Sequence, residues 1–216
     1  MPGFGSTPRM KPPTISGMAQ TVKDTLDTLK IRKPVVVIGL SMGGYVALEF
    51  IRQFPKSVRA LGLLSTRAGA DSAEQKEKRH ALALKIQKQD QQILANDLLP
   101  RLIGKTVLQN KPRVLSTLKE ILKKDTTVGG VADSLLAMAG RKDFTKFLKH
   151  IQCPVLIAAG DEDAVIPASE SHNMKKAIDH AVLQIIPFAG HMINLERPRM
   201  VNNMLASFVV SLPPIH

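Results

Sequence analysis

Three kinds of side chain in this sequence could share one proton-transfer chemistry. Ser41 lies in Gly39-Leu40-Ser41-Met42-Gly43-Gly44, a G-x-S-x-G pattern. A serine hydroxyl becomes a strong nucleophile only when a neighbouring base takes its proton. His191, in Phe188-Ala189-Gly190-His191-Met192, is a candidate base on a loop after an apolar run. Asp161, Glu162 and Asp163, in Gly160-Asp161-Glu162-Asp163-Ala164-Val165-Ile166-Pro167, are candidate acids. A carboxylate there could accept the imidazole Nδ1 proton and fix the useful tautomer. Spacing alone leaves the three acids open. The chain order serine, acid, histidine is one in which an acyl-transfer triad occurs.

The elements around these residues suit that chemistry. Pro34 to Leu40 reads as a buried strand, and Val46, Ala47, Phe50 and Ile51 repeat at helical spacing up to Pro55. Ser41 therefore sits at a tight strand-to-helix turn. The glycines two residues before and after it are expected to leave room for the turn. The helix N-terminus beneath it favours a developing negative charge. Ile15 to Ile31 reads as a helix with Met18, Val22, Leu26 and Leu29 near one face. Ala60 to Ser65, Pro154 to Ala159 and Val182 to Ile186 read as further strands. Helical patterns separate several of them, so a mostly parallel sheet covered on both faces is expected. Residues 72–150 break the rhythm with helical pieces over Ala73–Leu99, Pro112–Lys124 and Gly130–Met138. Such an insertion is expected to cap the strand ends, where sites in α/β folds lie. The domain reading is a core of residues 1–71 and 151–216, with 72–150 as a helical cap. Leu98, Leu99, Leu102 and Ile103 are candidate pocket residues of that cap, or equally its own core.

Composition narrows the classes. The chain has 216 residues, 44% apolar and 22% charged, which describes one globular domain. No run of eighteen apolar residues is present and the start has no secretory pattern, so no membrane partner and a cytoplasmic location are expected. The single Cys153 excludes an internal disulfide and reads as a small buried hydrophobe. No His/Cys cluster has zinc spacing, so neither metal nor cofactor is expected. The net charge of +12, with 16 basic against 8 acidic residues over 72–150, raises nucleic-acid binding. With no Trp and one Tyr, stacking platforms are scarce, and a solvated basic surface is the favoured reading.

Taken together, these motifs resemble the α/β-hydrolase fold superfamily along essentially the whole chain. Gly3-Phe4-Gly5-Ser6 is similar to its G-x-G-x-S loop, Gly39 to Gly44 to its nucleophile elbow, Gly160-x-x-Asp163 with Pro167 to its acid loop, and Gly190-His191 to its histidine loop. The resemblance selects Asp163 as the acid over Asp161. It makes Ser41 the nucleophile, His191 the base and the Met42 N–H an oxyanion donor. The branch most similar in wording, around the elbow and in Pro-Phe-Ala-Gly-His-Met-Ile-Asn-Leu-Glu-Arg-Pro, is that of 3-oxoadipate enol-lactonases and small carboxylesterases.

The same resemblance implies a shortened N-terminus. The family's G-x-G-x-S loop follows its fourth strand, whereas Met1 stands directly before Pro2-Gly3. The first strands and the loop giving the second oxyanion N–H are then missing, which favours a fragment over a natural short form. The strand before Ser41 becomes an exposed edge, a place where a second copy could pair. The expected function is hydrolysis of a small-molecule carboxylic ester or lactone through an acyl-enzyme. The alternatives are a catalytically impaired relative or fragment, or a cofactor-free acyltransferase or peroxidase using the same triad.

Overall fold

In the computed structural model, which describes residues 1–89 and 99–214, four strands form one sheet in the order β1-β2-β3-β4, every pair parallel. The strands are β1 (Val35–Leu40), β2 (Val58–Leu64), β3 (Val155–Gly160) and β4 (Val182–Ile186), each within two residues of its sequence reading at either end. Register runs through Val37 opposite Leu61, Leu63 opposite Ile157 and Gly160 opposite Ile186.

Burial follows position in the sheet. All six residues of β3 are buried, as are six of the seven in β2. At the edges, β1 has only Gly39 buried and β4 only Ile186. Helices cover both faces, as continuous apolar runs in β2 and β3 require. One face packs Leu61, Leu63, Val155 and Ile157 against α1 (Ile15–Thr28), α2 (Met42–Gln53) and α7 (Ala168–Ala177). The other packs Ala60, Leu64, Leu156 and Ala158 against α8 (Ile193–Glu196) and α9 (Pro198–Val210).

Helix α1 starts where Thr14 accepts a hydrogen bond from the Gly17 N–H at 3.0 Å, an N-cap. It ends at Thr28 rather than Ile31. Leu29 is the cap residue and Lys30 has a positive φ of 57°, so Leu29 turns out to solvent instead of joining Met18, Val22 and Leu26.

Between β2 and β3 the chain forms α3 (Ala73–Gln89), α4 (Lys105–Asn110), α5 (Pro112–Asp125) and α6 (Val128–Ala139). The expected extension of α3 to Leu99 crosses residues outside the described ones, and so does Leu98. Ala83 and Ile86 of α3 pack against Ala132 and Leu135 of α6. A separate cluster of Leu99, Ile103, Val107 and Leu118 packs against Met192 and Leu195, which joins this helical insertion to the loop carrying His191. Among the described residues no helix is long and apolar enough to cross a membrane. Cys153 is half-buried against the core, and burial pushes its thiol up to about 11.

Candidate active site

Ser41 is the hinge between β1 and α2, with φ 55° and ψ −118°. A non-glycine residue in that region is strained and needs its surroundings to hold it. Three hydrogen bonds do so. The Ser41 N–H donates to the Leu64 carbonyl at 2.8 Å. The Ser41 carbonyl accepts from the Gly44 N–H and from Thr66 Oγ1, each at 2.9 Å.

The glycines of the motif act differently from the symmetric expectation. A side chain at Gly39 would collide with the Gly43 carbonyl, and one at Gly44 would collide with Thr66. Gly43, two residues after Ser41, faces open space. The turn therefore needs glycine at 39 and 44, where backbone and neighbour close in, and 43 contributes its backbone.

The Met42 N–H is the first donor of α2, and such N–H groups have no partner within the helix. The Met42 side chain is half-buried against the core.

His191 follows β4 and is 2% exposed. Its Nε2 lies 2.7 Å from Ser41 Oγ and its Nδ1 lies 2.8 Å from Asp163 Oδ2. With Nδ1–H donating to the carboxylate, the neutral imidazole offers Nε2 as acceptor to the Ser41 hydroxyl. Asp163 is buried beyond β3. Its Oδ1 accepts from the Val165 and Ile166 N–H groups at 2.8 and 2.9 Å, so both carboxylate oxygens are committed.

The rival acids face elsewhere. Asp161 is exposed, and its Oδ1 accepts from the Ala189 N–H at 3.3 Å. Glu162 accepts from the Thr106 N–H at 2.8 Å and from Thr106 Oγ1, which ties the acid loop to α4. Burial opposes its charge. The Thr106 bonds, with Lys105 and Arg197 nearby, outweigh that and hold the carboxyl below the usual range.

Of the pocket candidates, Leu99 and Ile103 are buried in their own cluster. Leu102 is half-buried, and its carbonyl accepts from the His191 and Met192 N–H groups at 3.0 and 3.2 Å.

Sequence reading missed Glu196. This carboxylate is 1% exposed and accepts from Gly104, Gly190 and Met192 N–H groups. Burial pushes its carboxyl up, against the pull of the three N–H donors, and the Asp163 charge adds to the rise. Its position five residues after His191 was visible, but the contact across 92 residues to Gly104 was not.

Comparison with known proteins agrees with this architecture. The model of the Ndr family matches residues 7–212. The structure of a thermophilic esterase from Thermogutta terrifontis superposes with a TM-score of 0.93 at 31% identity, over 97% of this chain and 77% of that one. The 3-oxoadipate enol-lactonase 2 of Acinetobacter baylyi is 26% identical, over 93% of this chain and 72% of its own length. The monoacylglycerol lipase ABHD6 of Bos taurus is 22% identical, over 98% and 66% respectively. The chain spans 54–72% of the length of the curated relatives it matches first.

Proposed function

From a chain that belongs to the Ndr family, within the α/β-hydrolase superfamily, we propose a serine hydrolase acting on a carboxylic ester or lactone. The observation that carries the reading is the unbroken hydrogen-bonded line from Ser41 Oγ through His191 to buried Asp163. Esterase and lactonase relatives support the ester substrate class.

The steps follow from donor and acceptor capacity. Ser41 Oγ attacks the ester carbonyl carbon while its proton passes to His191 Nε2. The carbonyl oxygen becomes an oxyanion and takes the Met42 N–H, which the helix has left free. Asp163 keeps Nδ1–H oriented and stabilises the imidazolium. The tetrahedral centre collapses, the C–O bond to the leaving group breaks, and His191 returns the proton to the departing alkoxide. A water then gives a proton to His191 and attacks the acyl-enzyme, releasing the carboxylic acid and restoring the Ser41 hydroxyl.

The helical insertion serves in this reading as the cap. Leu102 is one of its contacts with the site loops, through the carbonyl that accepts the His191 backbone N–H. Leu99 and Ile103 serve mainly as its packing.

Ser41→Ala should abolish labelling by a fluorophosphonate probe and lower ester turnover by about 10⁵–10⁶-fold, the scale of losing a nucleophile. Labelling that persists in Ser41→Ala would overturn the assignment.

A further inference from the structure

Glu196 is a buried charge that the proposed chemistry leaves without a task. Its Oε2 accepts from the Gly104 N–H at 2.8 Å and the Gly190 N–H at 2.9 Å, and its Oε1 from the Met192 N–H at 3.1 Å. Among the described residues no Lys or Arg forms an ion pair with it. Burying an unpaired carboxylate is costly, and an apolar side chain would fill the same space more cheaply. The carboxylate is therefore required by what it binds.

What it binds is a seam. Gly104 belongs to the helical insertion, and Gly190 and Met192 flank His191 in sequence. The two backbones press together so closely that a side chain at Gly190 would strike the Gly104 N, and one at Gly104 would crowd the Gly190 N. Two N–H groups thus converge in a place with no room for side chains, and each needs an acceptor. One carboxylate oxygen satisfies both. On the other side of the seam, the Leu102 carbonyl takes the His191 N–H. The imidazole carried by this loop reaches Ser41 Oγ at 2.7 Å, a distance that a small loop shift would lose.

We infer that Glu196 is a positioning residue, whose carboxylate clamps the Gly104 turn to the histidine loop and so holds His191 within reach of Ser41. The inference rests on His191 being the base of the proposed reaction. A carboxamide at 196 can keep one oxygen on Gly104 and Gly190, but its NH₂ then faces the Met192 N–H, donor against donor. Truncation to alanine removes all three acceptor contacts.

The test compares Glu196→Gln and Glu196→Ala with the parent on p-nitrophenyl acetate. Glu196→Gln should lower kcat about tenfold and Glu196→Ala about 100-fold, the scale of a misplacement of about 1 Å, with KM within about twofold. Amide hydrogen exchange should quicken together over residues 99–110 and 188–193 while β2 and β3 stay protected. The downfield NMR signal of the His191 imidazole proton should shift or broaden. If Glu196→Ala does not fold, Glu196→Gln carries the test with the same readouts. Variants that lose thermal stability yet keep parental kcat, the parental imidazole signal and slow exchange over 188–193 would overturn the inference. If the parent neither turns over the ester nor takes a fluorophosphonate label, the hydrolase reading fails. The exchange and imidazole readouts then still decide whether Glu196 positions His191.

Discussion

Asp71 and Glu196 are both buried carboxylates at junctions between the sheet and the helices inserted after β2, and they are neutralised by opposite means. Asp71 Oδ1 meets Arg67 at 2.5 Å, and its Oδ2 meets Arg79 at 2.5 Å and Arg141 at 2.9 Å. Burial works to raise the Asp71 carboxyl, but the Arg79 hydrogen bond and the charges of Arg141 and Arg79 outweigh it and hold it below the usual range. The Arg141 guanidinium, lowered by its own burial, lies 4.2 Å over the Tyr45 ring, whose π-face takes part of the surplus positive charge. Glu196, among the described residues, is met by the backbone N–H dipoles of Gly104, Gly190 and Met192. The ionic junction stands where the chain leaves β2 and where it returns toward β3. The dipolar one stands beside His191, where a guanidinium would oppose the positive charge that the proposed reaction develops on the imidazole. In the proposed reading, the contrast separates anchoring the insertion from placing the base.

That division can be broken by experiment. The largest effect is expected for Asp163→Asn, which frees the imidazole tautomer: kcat should fall by about 10⁴-fold with thermal stability nearly unchanged. Asp71→Ala should do the reverse. Three arginines lose their buried anion, and urea unfolding should show a loss of about 3–5 kcal/mol, the usual scale for breaking a buried ion pair. The folded fraction should keep kcat within about threefold. A kcat collapse in Asp71→Ala comparable to that of Asp163→Asn would erase the distinction.

The pH dependence sharpens it. Asp71 has a folded pKa below its unfolded value. Its stabilisation is therefore complete above the unfolded pKa of about 3.9 and is lost as pH falls through the lower folded value. The stability gap between parent and Asp71→Asn should be widest at neutral pH and close under acid, as urea titrations at several pH values would show. Next in size, Gly39→Ala should cost about 1–3 kcal/mol by overpacking the turn against Gly43, read in the same titration. Smallest, Glu162→Gln should change kcat/KM less than about threefold, because its bonds to Thr106 lie off the proton path. A larger fall would move that contact into the group that places the base.

Strands β2 and β3 were legible because they are buried on both faces and read as continuous apolar runs. Ser41 and His191 were legible because turn chemistry and chain order mark them locally. Motif resemblance picked Asp163 from its neighbours. In space the distinction comes from the Val165 and Ile166 N–H groups, which take one oxygen and leave the other for His191. Glu196 and the Asp71 cluster were not legible. Their partners lie far away in the chain, as with Arg141 and Gly104, and no period of 2 or 3.6 residues encodes such meetings. The role of Gly44 over Gly43 was also hidden, since it depends on Thr66 folding back onto the turn.

The positive φ of Ser41 carries a consequence for evolution as well as for chemistry. A backbone held there by its neighbours costs about 1–3 kcal/mol that a glycine would not incur. Ser41→Gly should therefore yield a protein that melts higher while losing the proposed nucleophile, whereas Ser41→Ala keeps the strained backbone. Drift toward stability alone would erase this serine, so its retention in a lineage would itself register selection for use.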